Sequence, residues 1–147
     1  MTGKIVWTPD MSVGVDRLDK DHQALVSYLN DYVEAIDNEE GIFVTDGIFA
    51  ALLEYTVYHF TLEEQLMEAA GYDDLAAHKE IHKTMAGKVE DCRQRYMLNP
   101  DKALEDEVRD FLTHWLQEHI LKCDMNYKQA MAEHPDALQK VLDRVGR

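Results

Sequence analysis

The 147-residue sequence is short of several residues on which common protein chemistries depend. Its seven glycines form neither a G-x-G-x-x-G pattern nor a P-loop, so no nucleotide-phosphate site is predicted. Its two cysteines form no C-x-x-C motif and no disulfide framework, which favours a reducing cytoplasm. The longest unbroken apolar run, residues 48–53, is too short to cross a bilayer, and no signal-peptide pattern opens the chain.

Basic residues are also scarce. The sequence has 15 of them against 29 acidic residues, which gives a net charge of −14 at pH 7. A surface this negative repels phosphate backbones and anionic lipid, so we expect no nucleic-acid partner and no stable membrane insertion. The same acidity favours a monomer. The apolar fraction of 46% is ordinary for a globular protein, and the length predicts a single domain over residues 1–147.

Helical periodicity dominates the chain. Apolar residues recur at three- and four-residue spacing along four segments, at about 19–37, 45–70, 74–98 and 101–133. An irregular arm of residues 1–18 precedes these segments, and a short amphipathic helix at 135–146 follows them. Because the connecting loops are short, we predict an all-α, up-down-up-down antiparallel four-helix bundle over residues 19–133.

Histidine is the residue that the sequence has in excess, with seven copies. Two histidine-containing pairs are spaced four apart and so share a helix face: His59 and Glu63, and His78 and His82. On the fourth predicted helix, His119 and Asp124 are five apart, which is about 140° around a regular helix. His22 stands alone near the start of the first helix.

The rise of about 1.5 Å per residue brings these seven side chains to one height in the bundle. The first helix climbs about 16 residues beyond His22, and the second descends about 14 to 18 residues to reach His59. The third climbs about 16 residues beyond His82, and the fourth descends about 18 to His119. A single layer near one end of the bundle is therefore expected to hold five imidazoles and two carboxylates.

Such a layer is costly to bury unless it binds metal, because each polar group loses its hydration. Seven ligands exceed the four of a tetrahedral zinc ion. They suit two six-coordinate metals that share bridging carboxylates and a bridging oxygen. Mixed imidazole and carboxylate ligands favour iron or manganese.

At these residues the sequence resembles the hemerythrins, specifically the single-domain bacterial type. The resemblance covers essentially the whole chain. It rests on ordered motifs at Trp7, Ser12-Val13-Gly14-Val15, Asp19-x-x-His22, His59-Phe60-x-x-Glu63-Glu64, His78-x-x-x-His82 and Trp115-Leu116-x-x-His119-Ile120-x-x-x-Asp124.

The resemblance implies a non-haem di-iron centre with an oxo or hydroxo bridge. One iron would be held by His78, His82 and His119, and the other by His22 and His59. Two carboxylates would bridge the irons, namely Glu63 and Asp124. Dioxygen would bind at the open position of the two-histidine iron.

The resemblance also implies an apolar oxygen pocket lined by Phe60, Trp115, Leu116 and Ile120, although ordinary core packing explains these residues as well. The implied function is reversible oxygen binding for transport, storage or buffering, without catalysis as its main role. A reductase or an oxygen-consuming enzyme is the expected protein partner. Weak oxidase or peroxidase activity stays open.

Three alternatives remain at this point. One is a di-iron enzyme, either an oxidase, a peroxidase or a nitric-oxide scavenger. Ferritin-like oxidative sites use E-x-x-H pairs, and no glutamate lies three residues before any histidine here, which argues against that class. The second is sensing of oxygen or redox state through a separate partner, and the third is a structural or iron-storage bundle.

Overall fold

The structure, a computed structural model, describes residues 4–119 and 123–145. Within these residues, helices are the only regular elements. The four long helices are α1 (Asp16–Asp37), α2 (Ile42–Ala69), α3 (Leu75–Leu98) and α4 (Lys102–Glu118). Two shorter helices follow, α5 (Lys128–Ala132) and α6 (Pro135–Val145), and 3₁₀ turns lie at Pro9–Met11 and Asp124–Tyr127. The all-α prediction is confirmed, whereas a single domain over 1–147 stays a prediction.

The helix starts differ from the predicted ones for local reasons. The backbone of Gly41 has a φ of 95°, and its carbonyl accepts a hydrogen bond from Thr45 N, so α2 begins at Ile42 rather than near residue 45. The α1 helix begins at Asp16, inside the predicted arm. There the Asp19 carboxylate accepts hydrogen bonds from Ser12 Oγ at 2.6 Å and from Val13 N at 2.8 Å. These bonds tie the arm to the first helical turn.

The continuous fourth helix predicted over 101–133 is wrong. The α4 helix ends at Glu118, π-helical backbone occurs at His119 and Cys123, and a 3₁₀ turn at Asp124–Tyr127 leads into α5. A π-helical turn is closed by a hydrogen bond between residues five apart. Residues at that separation then lie close to the same face, which the apolar spacing of the sequence does not reveal.

The core has two apolar clusters along the bundle. The upper cluster includes Leu25, Phe49 and Leu112, and the lower cluster includes Leu66 and Met131. The α6 helix adds Leu138 and Val141 to the lower cluster, so it closes that end of the bundle. Within the described residues, no helix is both long enough and apolar enough to span a membrane.

Candidate metal centre

All seven predicted ligand residues converge in one buried layer. None of them is more than 3% exposed. Their nitrogen and oxygen atoms form two overlapping groups in which all donor atoms lie within 4.8 Å of one another. We call these the three-histidine group (His78, His82, His119, Glu63 and Asp124) and the two-histidine group (His22, His59, Glu63 and Asp124).

Glu63 belongs to both groups because its two oxygens face different histidines. Its Oε2 lies 3.2 Å from His22 Nε2 and 3.1 Å from His59 Nε2. Its Oε1 lies 3.0 Å from His82 Nε2 and 3.4 Å from His78 Nε2. One carboxylate therefore presents one oxygen to each group.

Asp124 is arranged in the same way. Its Oδ2 lies 3.0 Å from His22 Nε2, whereas its Oδ1 lies 2.8 Å from His119 Nε2 and 3.2 Å from His78 Nε2. The backbone change after α4 explains how His119 and Asp124 meet although they are five residues apart. Two carboxylates thus span the same pair of histidine groups.

Proton binding shows how strongly this layer attracts positive charge. Burial lowers the pKa of His22 and His78, but the close carboxylates of Asp124 and Glu63 outweigh it and raise each pKa to about 9. Burial raises the pKa of Glu63, yet the surrounding imidazoles hold it well below its ordinary value. The pKa of Asp124 is lowered by the same neighbours. Without metal, the layer balances its two carboxylates with protons.

Several buried atoms of the layer still lack a hydrogen-bond partner among the described residues. Those that face the other members of the layer are Glu63 Oε1, both oxygens of Asp124, and His78 Nε2, and the Nδ1 atoms of His22 and His119 are unpaired as well. Native proteins rarely leave such groups unpaired. Metal ions accept lone pairs from these nitrogens and oxygens, so the donor set fits a pair of metal ions, and its mixed imidazole and carboxylate composition fits iron.

Outer hydrogen bonds orient the ligand side chains. His59 Nδ1 donates to Asp21 Oδ2 at 3.1 Å, and His82 Nδ1 donates to Glu64 Oε2 at 2.8 Å. Such partners fix which imidazole nitrogen faces the metal. Sequence reasoning did not assign these roles. The only signal available was that both acidic residues adjoin a predicted ligand in the chain.

Tyr127 is a further residue that the sequence interpretation missed. It is fully buried, and its hydroxyl donates to Glu63 Oε2 at 2.7 Å. Burial, followed by the nearby charge of Glu63, raises the pKa of Tyr127 well above its ordinary value of 10. The hydroxyl therefore keeps its proton and remains a donor to Glu63.

The predicted pocket residues lie in different places. The Phe60 ring stacks on His82 at 3.8 Å between centroids, and the Trp115 ring stacks on His119 at 4.6 Å. Both aromatic rings therefore cover the three-histidine group. Leu116 is buried and lines an apolar cavity, while Ile120 lies outside the described residues. That these residues line an oxygen pocket stays a prediction.

Comparison with known proteins agrees with this geometry. The profile of the hemerythrin HHE cation binding domain matches residues 13–131 of the chain. The chain belongs to the hemerythrin family. Among its relatives is a bacteriohemerythrin of Stenotrophomonas maltophilia, 33% identical over 130 residues, which cover 88% of this chain and 83% of the relative. Myohemerythrin-1 of Phascolopsis gouldii is 28% identical, with 84% of this chain and 91% of that protein covered.

Solved hemerythrin structures share the fold. Crystal structures of a hemerythrin in which one leucine is replaced by tyrosine or by alanine superpose with TM-scores of 0.73 and 0.74. Each is 25% identical, and each alignment covers 89% of this chain and 99% of the other. The resemblance predicted from the sequence motifs and the four-helix bundle are both confirmed.

Proposed function

We propose that this hemerythrin binds dioxygen reversibly at a centre of two iron ions. The observation that carries the proposal is that both shared carboxylates, Glu63 and Asp124, present one oxygen to each histidine group. His78, His82 and His119 are proposed to hold one ion, and His22 and His59 the other. When bound, a pair of ferrous ions supplies the electrons that reversible dioxygen binding requires.

The two groups differ in the number of protein donors. The three-histidine group offers five donors, whereas the two-histidine group offers four. With one solvent-derived ligand shared by both ions, an ion held by the two-histidine group would be one ligand short of six. We propose that dioxygen would be taken up on this side.

The surrounding residues favour release of dioxygen over further reaction. Apolar clusters lie on both sides of the ligand layer and exclude water, and the proposed apolar surround includes Phe60, Trp115, Leu116 and Ile120. The buried hydroxyl of Tyr127, which donates to Glu63, keeps its proton because its pKa is raised. This hydroxyl is therefore a poor source of a proton for reduction of dioxygen.

The physiological part of the proposal is transport, storage or buffering of dioxygen in the cytoplasm. Cys92 and Cys123 are both free and partly buried, which suits a reducing compartment. An external reductase is the partner that would return oxidised iron to the ferrous state. The net charge of −14 supports a monomer, because copies of the chain repel one another.

A visible absorption cycle tests this function. The anaerobically reduced protein is expected to gain a charge-transfer band in air and to lose it under argon. The His22→Ala variant removes a two-histidine ligand and is expected to lose the band, while His114→Ala, at an exposed position, keeps it. A band that forms once and never bleaches would indicate an oxidase instead.

A further inference from the structure

A buried cavity lies directly above the ligand layer. Its nearest wall is formed by Leu25, Thr56, Met85 and Leu116, each three residues from a ligand histidine in its own helix. Its far wall is formed by residues seven positions from the same histidines, Leu29, Leu52, Val89 and Leu112. All four long helices therefore contribute one residue to each wall, and the cavity continues the axis of the metal centre into the upper core.

The cavity is suited to a small apolar molecule. Its volume is about 20 Å³, which exceeds the roughly 10–15 Å³ that one water molecule needs. Among the described residues that line it, only Trp115 and Thr56 have hydrogen-bonding side chains. The Thr56 hydroxyl already donates to Leu52 O at 2.7 Å. Because water needs two to four polar partners, we expect a cavity with this apolar lining to stay dry and to accept an apolar gas instead.

An open groove lies on the surface beside this cavity. The groove lies between α3 and α4, has a volume of about 290 Å³, and is flanked by Ile81 and Phe111. Met85 and Trp115 line both the groove and the cavity. We call these two side chains the gate, because among the described residues only they line both the groove and the cavity.

The two gate residues differ in how freely they can move. Trp115 is held by stacking on His119 at 4.6 Å, with 17° between the ring planes. Met85 is an unbranched side chain with three rotatable bonds, so it can change rotamer without moving the backbone. Met85 is thus the movable part of the gate.

We propose that the cavity is a binding site for a small apolar gas, filled from the α3–α4 groove when Met85 moves, and that dioxygen reaches the iron pair through it. The cavity is separate from the metal ligands, so its gas binding stands on the lining alone. The route rests on the proposed dioxygen function as well.

Xenon NMR tests the cavity independently of iron chemistry. Val89→Leu adds a methylene group at the far wall, whereas Val108→Leu makes the same change at a buried position of the same apolar cluster that does not line the cavity. We expect a saturable xenon shift in the wild type and in Val108→Leu, and loss of that shift in Val89→Leu. An equal xenon shift in all three proteins would overturn the cavity site.

Dioxygen kinetics test the route. Met85→Ala shortens the gate, and Met67→Ala is the matched control because Met67 is buried in the lower cluster. A gate changes the energy barrier that dioxygen crosses on entry and on exit, and it leaves the free energy of the bound dioxygen unchanged. We therefore expect Met85→Ala to raise the association and dissociation rate constants by the same factor of several-fold, with the Kd unchanged, and Val89→Leu to lower both rate constants together.

The outcomes separate this proposal from the proposed function. Rate constants that are unchanged in Met85→Ala and Val89→Leu, while the xenon shift is lost in Val89→Leu, would overturn the route and leave the cavity supported. A change in only one of the two rate constants, and hence in the Kd, would also overturn the gate. If the wild type binds no dioxygen, the proposed function and the route both fail, and the xenon result still decides the cavity.

Discussion

The two histidine groups of the centre are supported in different ways. Aromatic rings lie flat on two imidazoles of the three-histidine group, Phe60 on His82 and Trp115 on His119. In the two-histidine group, His22 and His59 meet each other edge to face at 4.6 Å. The support there comes from hydrogen bonds, with Asp21 bonded to His59 and Tyr127 bonded to Glu63 Oε2.

This difference parallels the proposal that the ion of the two-histidine group is the one that exchanges a ligand. Stacked rings occupy the space beside His82 and His119 and hold both imidazole planes, which suits a metal that already has five protein donors. Hydrogen bonds fix the direction of a side chain with less bulk than a stacked ring, and here they support the group that offers four donors. The asymmetry in packing thus matches the asymmetry in donor number.

The largest effect is expected when a shared ligand is removed. Glu63→Ala takes one donor from each group and is expected to lose both ions, whereas His22→Ala is expected to keep the ion of the three-histidine group. Because metal binding contributes directly to folding free energy, Glu63→Ala should also lower the Tm more. Iron-to-protein ratios and thermal melts measure both effects. Equal iron loss in the two variants would contradict the assigned difference between bridging and terminal ligands.

The metal-free protein should show a pH dependence that the metal-loaded protein lacks. The pKa of His22 and of His78 is about 9 in the fold against an ordinary value of 6.5. Their stabilisation is therefore complete below pH 6.5 and is lost as the pH rises to about 9. Glu63 and Asp124 have lowered pKa values in the fold. The stability that they contribute is therefore present at pH values above the ordinary carboxyl pKa and is lost as the pH falls below it.

Thermal melts at a series of pH values check this expectation. The Tm of the metal-free protein should be highest between the ordinary carboxylate range and pH 6.5, and should fall towards pH 9. In the metal-loaded protein the ions replace the imidazole protons, so this alkaline fall should disappear. The same alkaline fall in both forms would show that the ligand layer is not where metal binds.

Removing an aromatic ring from the three-histidine side should have a smaller effect. Phe60→Leu removes the stack on His82 and is expected to lower the free energy of unfolding by about 2 kcal/mol. Phe49→Leu is the matched control, since Phe49 is buried in the same apolar cluster and contacts Tyr32. Both variants should lose similar stability. A cobalt titration should weaken in Phe60→Leu alone, and equal affinities would contradict a role for this ring in holding His82.

The smallest effect is expected on the two-histidine side. Tyr127→Phe removes one hydrogen bond to Glu63 Oε2 and should cost about 1 kcal/mol of stability. The released oxygen donates more charge to the metal, so the reduction potential should fall. Tyr32→Phe, which removes a buried hydroxyl that donates to Glu105 O, serves as the control and should leave the potential unchanged. A potential that shifts equally in both variants would exclude a specific effect of Tyr127.

The fold and the convergence of the seven candidate ligand residues could be predicted from the sequence because both depend on helical spacing. The pairs at residues 59 and 63 and at 78 and 82 lie four apart, and the lengths of the intervening helices fix their common height. Apolar periodicity, however, continues through residues 119–133, so it could not reveal where α4 ends. The meeting of His119 with Asp124 depends on that local change in backbone geometry.

The outer partners could not be predicted for a different reason. Asp21, Glu64 and Tyr127 each act through a contact between helices or turns, and many exposed acidic residues and core tyrosines have the same local pattern. Phe60 and Trp115 follow helical spacing, which places them near the centre but does not decide which histidine each ring covers. These details depend on side-chain packing in three dimensions.

A crystal structure of the ferric, iron-loaded protein soaked with azide would test the central claim most directly, with anomalous data collected at the iron edge. We expect two anomalous peaks between Glu63 and Asp124, one contacted by three histidines and the other by two, with azide on the two-histidine ion. A single peak, or azide bound on the three-histidine side, would contradict the claim.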